Sequence, residues 1–202
     1  GSNSLLCHVN NFKEYNKTIA TYGVLRGTYE LINKVQNYYY IDHGYFNQSQ
    51  RTFDNNRTNV INLDGYFRIV RNNFIHNGYG NYPPDRFEKL NLNVSDMKKT
   101  GNYIILSEPS ETMKKLYNVP MWIEDTKKLV QRYSDRRIIV HNKFSKESLN
   151  SLLKEAWAFV SLQSTAGFKA MLNGVPPYFT DSTLKYIGKL EDIENPKINY
   201  QI

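Results

Sequence analysis

Hydrophobic and polar positions alternate most legibly in the second half of the chain. The run NYIILSEP (102–109) is apolar and ends at Pro109, which predicts a buried strand. In WIEDTKKLVQRYS (122–134) the residues Trp122, Ile123, Leu129, Val130 and Tyr133 share one helical face. RRIIVHNK (136–143) predicts a strand. SKESLNSLLKEA (145–156) predicts a helix that starts around Ser145 to Ser148 and buries Leu149, Leu152, Leu153 and Ala156. AFVSL (158–162) is a strand, and AGFKAMLN (166–173) is a short helix closed by Gly174. VPPYFT (175–180) is a last short strand in spite of its prolines. The order β-α-β-α-β-α-β argues for a parallel sheet with helices on both faces. Ligands of such sheets lie at the carboxyl ends of the strands.

The first half is less regular. GTYELINKVQ (27–36) reads as helix, YYYIDHGYF (38–46) as a strand running into a turn, and YFRIVRNNF (66–74) as strand. The polar stretch 51–65 and the turn-rich stretch 75–85 read as loops. RFEKLNL (86–92) predicts a short helix, and 93–101 bridges the halves. The expected division falls near residue 97: a reduced α/β half over 1–97 and a Rossmann-like half over 98–202.

Composition narrows this only a little. With 202 residues, 40% hydrophobic and 22% charged, the chain can bury a sizeable core and reads as folded and soluble. The lone cysteine, Cys7, allows no internal disulfide, which suits a reducing, cytoplasmic setting. No apolar run is long enough to span a bilayer, and Gly1-Ser2 reads as a cloning remnant. The net charge of +7 suits a polyanionic partner such as nucleic acid or a phosphorylated small molecule.

No CxxC, HExxH, P-loop, GxGxxG or GxSxG spacing occurs, so neither a metal site nor a familiar hydrolase is expected. Four constellations could carry chemistry. Ser164, Thr165, Ala166 and Gly167 open a predicted helix, with Lys169 one turn on. Such a turn caps a helix, and the same N–H groups can hold a phosphate. Arg136, Arg137, His141 and Lys143 lie on a predicted strand, the last two at its carboxyl end. Asp42-His43-Gly44 ends a strand, where His43 could act as a base oriented by Asp42. Arg68, Arg71, Asn72, Asn73 and His76 form an Arg/Asn-rich strand suited to clamping a phosphate or sugar. Each has a plainer reading: cap, solvated strand end, turn and exposed edge.

SLQSTAGFKAMLNGVPPYFT resembles the donor-binding signature of GT-B-type glycosyltransferases: strand, Ser/Thr-rich turn, a helix of the form xxEALxxGxP, then strand. YYYIDHGYF, YFRIVRNNF and WIEDTKKLVQRYSDRRIIVHNK are similar to viral and phage proteins with a compact glycosyltransferase-like fold. The likeness covers roughly residues 38–185. It implies a GT-B-like α/β fold with a reduced N-terminal half, a nucleotide-sugar site in the C-terminal half and an acceptor cleft between the halves. Ser164 and Thr165 would meet the donor phosphates. One departure matters: the family's ribose-binding Glu aligns with Lys169, which cannot accept hydroxyl hydrogen bonds.

The expectation is therefore a metal-independent glycosyltransferase. It would move a sugar from a nucleotide-sugar, its donor substrate, to an acceptor, with viral modified DNA as one version; no other cofactor is expected. Donor phosphates would fall to Ser164, Thr165, Ala166, Lys169 and Lys143, proton abstraction to His43 or Asp42, and acceptor contacts to Arg68, Arg71, His76 and His141. The alternative is a catalytically inactive GT-B-like module that binds nucleotide or nucleic acid.

Overall fold

In the computed structural model the chain divides into two compact units, Gly1–His76 and Asn77–Ile202. The structure describes residues 4–24, 27–46, 51–53, 59–61, 65–76 and 83–199. The division expected near residue 97 falls inside the second unit. Residues 93–98 are hydrogen-bonded into it: the Ser95 and Lys98 amides donate to the Leu172 and Gly174 carbonyls at 2.9 and 2.8 Å. The Lys98 ammonium also caps the carbonyls of Leu153 and Lys154.

The N-terminal unit is built on β1 (Ile19–Tyr22), α1 (Thr28–Ile32), β2 (Tyr38–His43), β3 (Arg51–Phe53), β4 (Asn59–Ile61) and β5 (Phe67–Arg71). Its main sheet has the order β1-β2-β5. β1 runs parallel to β2, and β5 runs antiparallel to it. This sheet is mixed, with one parallel and one antiparallel pairing. The strand β1 and the antiparallel pair β3-β4 were not foreseen from the sequence. Alternation divides the sheet sharply. Thr21, Tyr40 and Val70 are buried on one face, where the Tyr40 ring meets Phe74 at a centroid distance of 5.0 Å. The other face carries Ala20, Tyr22, Tyr39, Ile41, His43, Phe67, Ile69 and Arg71, by the register Tyr22↔Ile41, Ile41↔Ile69 and His43↔Phe67.

The C-terminal unit follows the expected order. It contains α2 (Asp85–Lys89), β6 (Tyr103–Ser107), α3 (Glu111–Leu116), α4 (Trp122–Val130), β7 (Arg137–His141), α5 (Leu149–Leu153), β8 (Ala156–Ser161), α6 (Ala166–Leu172) and β9 (Pro177–Phe179). The strand order is β7-β6-β8-β9, all parallel. The step from β6 to β7 moves one way across the sheet, and the two later steps move the other way. Right-handed crossovers then place α3 and α4 on one face and α5 and α6 on the other. The core agrees. Ile104, Leu106, Ala158 and Val160 pack with Trp122, Ile123 and Val130 of α4. Tyr103, Ile105 and Phe159 pack with Leu152 and Leu153 of α5 and Ala170 of α6. β6 and β8 are covered on both faces, which is why they read as continuous apolar runs.

The element ends are set by local chemistry. Ser110 and Ser148 accept hydrogen bonds from the amides of Met113 and Ser151, starting α3 and α5. Ser145 belongs instead to the preceding turn, where its hydroxyl accepts from the Asn142 amide. The two prolines of 175–180 are tolerated because β9 is an edge strand and Pro177 is its first residue. Among the described residues no helix is long and apolar enough to cross a membrane.

Candidate functional site

The chain leaves β6 toward β7 and leaves β8 in the opposite direction toward β9. The crevice at the carboxyl ends of β6 and β8 is therefore a topological switch point. The register brings Ser107, His141, Ser161 and Phe179 level at this edge. Beyond them lie Glu108, Asn142, the turn 162–165 and Thr180.

On the β8 side the turn is organised by its own hydroxyls. The fully buried Ser161 hydroxyl accepts from the Ser164 amide at 3.3 Å. Ser164 Oγ accepts from the Ala166 amide at 3.2 Å. The Gly167 amide donates to the Ser164 carbonyl and the Lys169 amide to that of Thr165. Capping of α6 is thus carried by Ser164, while the Thr165 side chain makes no capping bond to the helix. A hydroxyl that accepts one bond keeps its O–H to donate, so Ser164 can cap and still meet an anion. Lys169 is exposed on α6. The buried amide nitrogen of Gln163 has no hydrogen-bond partner.

On the β6 and β7 side the edge carries a charged network that the sequence did not announce. Glu108 accepts from Lys114 Nζ at 2.7 Å and from Asn142 Nδ2 at 2.9 Å. Lys114 also reaches Glu111 at 2.9 Å. These hydrogen bonds, from Lys114 first and Asn142 second, hold the Glu108 carboxyl below the usual carboxylate range. The bonds to Glu108 first and Glu111 second hold the Lys114 ammonium above its ordinary value. The His141 carbonyl accepts from the Glu108 amide at 2.9 Å, which ties the two strand ends together. Lys143 is exposed in the following turn, its Nζ 4.8 Å from the Phe144 ring centroid. At the outer end, Trp122 Nε1 donates to Thr180 Oγ1 at 2.8 Å.

The expected group Arg136, Arg137, His141 and Lys143 is divided by the length of β7. His141 and Lys143 sit at the carboxyl edge. Arg136 and Arg137 sit at the amino end and do structural work. Arg136 stacks 4.2 Å from the Trp157 ring centroid, donates to the Gly101 carbonyl at 2.6 Å and pairs with Glu194 at 3.0 Å. Arg137 lies 5.4 Å from the Tyr103 ring centroid.

The other expected residues belong to the N-terminal unit. Asp42 and His43 are adjacent in sequence, so β2 points them to opposite faces. Asp42 Oδ1 accepts from the backbone amide of His43 at 2.8 Å, and not from its ring. Asp42 Oδ2 accepts from Arg68 at 3.0 Å and from the Tyr40 hydroxyl at 2.8 Å. Burial, with the Asp42 charge second, pushes the Tyr40 hydroxyl well above its ordinary range. The His43 ring instead has Nε2 3.1 Å from the Tyr22 hydroxyl and stacks on Phe67 at a centroid distance of 6.0 Å. Arg68 lies on the covered face with its guanidinium 5.0 Å from the Tyr45 ring centroid, whereas Arg71 lies on the opposite, exposed face. The two arginines therefore do not form one clamp. Asn72 turns back through a positive φ of 53°, and its side chain accepts from the Tyr38 amide. His76 is exposed at the end of this unit. Most of the loop 78–85 lies outside the described residues.

No protein-family model matches the chain, and no curated protein matches it in sequence.

Proposed function

We propose that the protein is a GT-B-like glycosyltransferase whose C-terminal unit takes a nucleotide-sugar at the carboxyl edge of its parallel sheet. The switch point between β6 and β8, with the hydroxyl turn 161–165 beside it, carries this reading. Ser164 and Thr165 would donate to the diphosphate through their hydroxyls, and Lys143 and Lys169 would balance its charge, while the Ala166 amide stays with Ser164 Oγ and holds the turn. Charge building on the leaving diphosphate is what such donors stabilise in a transfer reaction. His43 would take the proton of the acceptor hydroxyl. Its Nε2 lies 3.1 Å from the Tyr22 hydroxyl, so the phenol and not Asp42 would hold that side of the ring.

A second reading, an inactive nucleotide-binding module, is favoured by one observation. Lys169 stands where the resembling family has Glu, and a cation cannot accept the ribose hydroxyls. Thermal stabilisation against nucleoside diphosphates and nucleotide-sugars tests the site. We expect one nucleotide class to raise the melting temperature and the Ser164→Ala/Thr165→Ala variant to lose the shift. A folded protein that no nucleotide stabilises would defeat both readings. Donor binding with hydrolysis or transfer that disappears in His43→Ala supports the enzyme; donor binding without turnover supports the inactive module.

A further inference from the structure

The main sheet of the N-terminal unit leaves one face open. Tyr22 is 50% exposed, Tyr39 41%, Phe67 38% and Ile69 62%. These residues are consecutive positions on one face of three hydrogen-bonded strands, so they form one patch. Tyr22, His43 and Phe67 are mutually in ring contact, with centroids 5.9 to 6.1 Å apart. Tyr39 stands two ranks away on β2, beside Arg71 of β5. Ranks on one face of a strand are spaced about 6.6 Å. The patch therefore offers aromatic surfaces at both ends of a sheet roughly two ranks long.

Leaving such rings in water is unfavourable, and contiguous exposed apolar patches mark binding sites. The charge around it selects the occupant. The face presents the cation Arg71, and among the described residues no Asp or Glu side chain projects from it; Asp42 lies on the opposite face. The chain as a whole is at +7. A second copy would bring the same excess charge and a second Arg71 to the interface, which opposes pairing. A polyanion with flat, stackable groups satisfies both features.

We propose that this face binds single-stranded nucleic acid, with unpaired bases stacked on Tyr22, Tyr39 and Phe67 and the backbone phosphates met by Arg71. Duplex is excluded by the same chemistry, because its bases are already stacked on each other and their faces are not available to the rings. The face also carries His43, the base of the proposed transfer, so the inference deepens the acceptor side of that reading, while its observations come from this sheet alone.

Fluorescence anisotropy of a labelled oligothymidine and oligouridine of about 12 nucleotides, against the matching duplex, tests it. Single strands should bind more tightly than duplex, and more weakly as salt rises. Tyr39→Ala and Phe67→Ala should each weaken binding roughly tenfold, the scale of one lost stacking ring. Tyr39→Phe should retain it. Ile69→Glu, at an exposed position that the fold does not need, should weaken it by placing a carboxylate on the patch. Circular dichroism of every variant shows that it is folded. Three outcomes would overturn the proposal: a folded wild type that binds neither strand at low salt, tighter binding of duplex, or single-strand binding unchanged in Tyr39→Ala, Phe67→Ala and Ile69→Glu. A dimer in sedimentation that Ile69→Glu dissolves, without oligonucleotide binding, would assign the face to a second copy instead. No nucleotide-sugar enters the experiment, so its failure leaves the donor site untouched.

Discussion

Replacing Gly174 by Ala should cost the C-terminal unit about 3–4 kcal/mol, and two separate causes contribute. Gly174 ends α6 in the left-handed region, at φ 69°. Its amide donates to the Met171 carbonyl and that of Val175 to the Ala170 carbonyl, the double closure of a Schellman turn. A side chain in the left-handed region costs about 1–2 kcal/mol. The second cause is contact. A Cβ at this position would lie 2.1 Å from the Asp96 carbonyl oxygen and 3.1 Å from its carbon. That neighbour is backbone and cannot rotate away. The segment must move, which strains the Ser95 to Leu172 and Lys98 to Gly174 hydrogen bonds at about 1 kcal/mol each. The melting temperature should fall by roughly 10 °C. Gly174→Asn separates the causes. Asn occupies the left-handed region readily, as Asn72, Asn91 and Asn118 do in this chain, but it carries the same Cβ. Collision predicts that Asn is nearly as damaging as Ala. Gly23 serves as the control, because it has φ 68° and no atom within 4 Å of its added Cβ. Gly23→Asn should be almost neutral. Urea denaturation reads all of these, and a Gly174→Asn protein as stable as wild type would refute the argument from contact.

Two further outcomes follow from the same geometry. Lys114→Met removes the main cause of the lowered Glu108 pKa. A depressed carboxyl stabilises the fold above its unfolded value, near 4.5, and this contribution fades as pH falls through the folded value. Wild type should therefore exceed the variant by up to about 1 kcal/mol at pH 7, and the gap in urea midpoints should narrow as pH falls through the depressed folded value; a gap that stays constant with pH would count against the pairing. Arg136→Ala loses a stacked ring contact and the bond to Gly101, so it should lower stability by about 2 kcal/mol. It should leave nucleotide stabilisation unchanged, since the residue lies at the amino end of β7; a lost nucleotide shift would return it to the site.

The C-terminal half was legible because burial on both faces writes strands as unbroken apolar runs, and Tyr103–Leu106 and Ala158–Val160 are such runs. The short helix α3 was not, since its six residues ETMKKL are too few to display a period, and Ser110 was the one cue to its start. In the N-terminal half the alternation in β1 places an exposed Tyr22 beside a buried Thr21, which inverts the usual pattern of apolar inside and polar outside. The site was half legible. The turn 161–167 lies within one stretch of sequence, so its chemistry could be read. The Glu108, Lys114 and Asn142 network could not, because it exists only once β6 pairs with β7. The Asp42 and His43 pair misled for the opposite reason: neighbours in a strand face apart.

During synthesis, β6 is made before either of the strands that flank it. Its partner on one side is β7, and on the other is β8, about fifty residues further along the chain. At ordinary elongation rates that interval lasts several seconds. Until β8 is made, the edge of Tyr103–Ser107 that it will cover is unpaired, and so is the apolar face that α5 and α6 will cover. Such an edge is a template for any other extended chain that reaches it. A ribosome stalled near Lys154 would present that template for as long as the stall lasts. The yield of folded protein should therefore depend on the pace of translation between residues 107 and 161, and slowing it there should lower the yield.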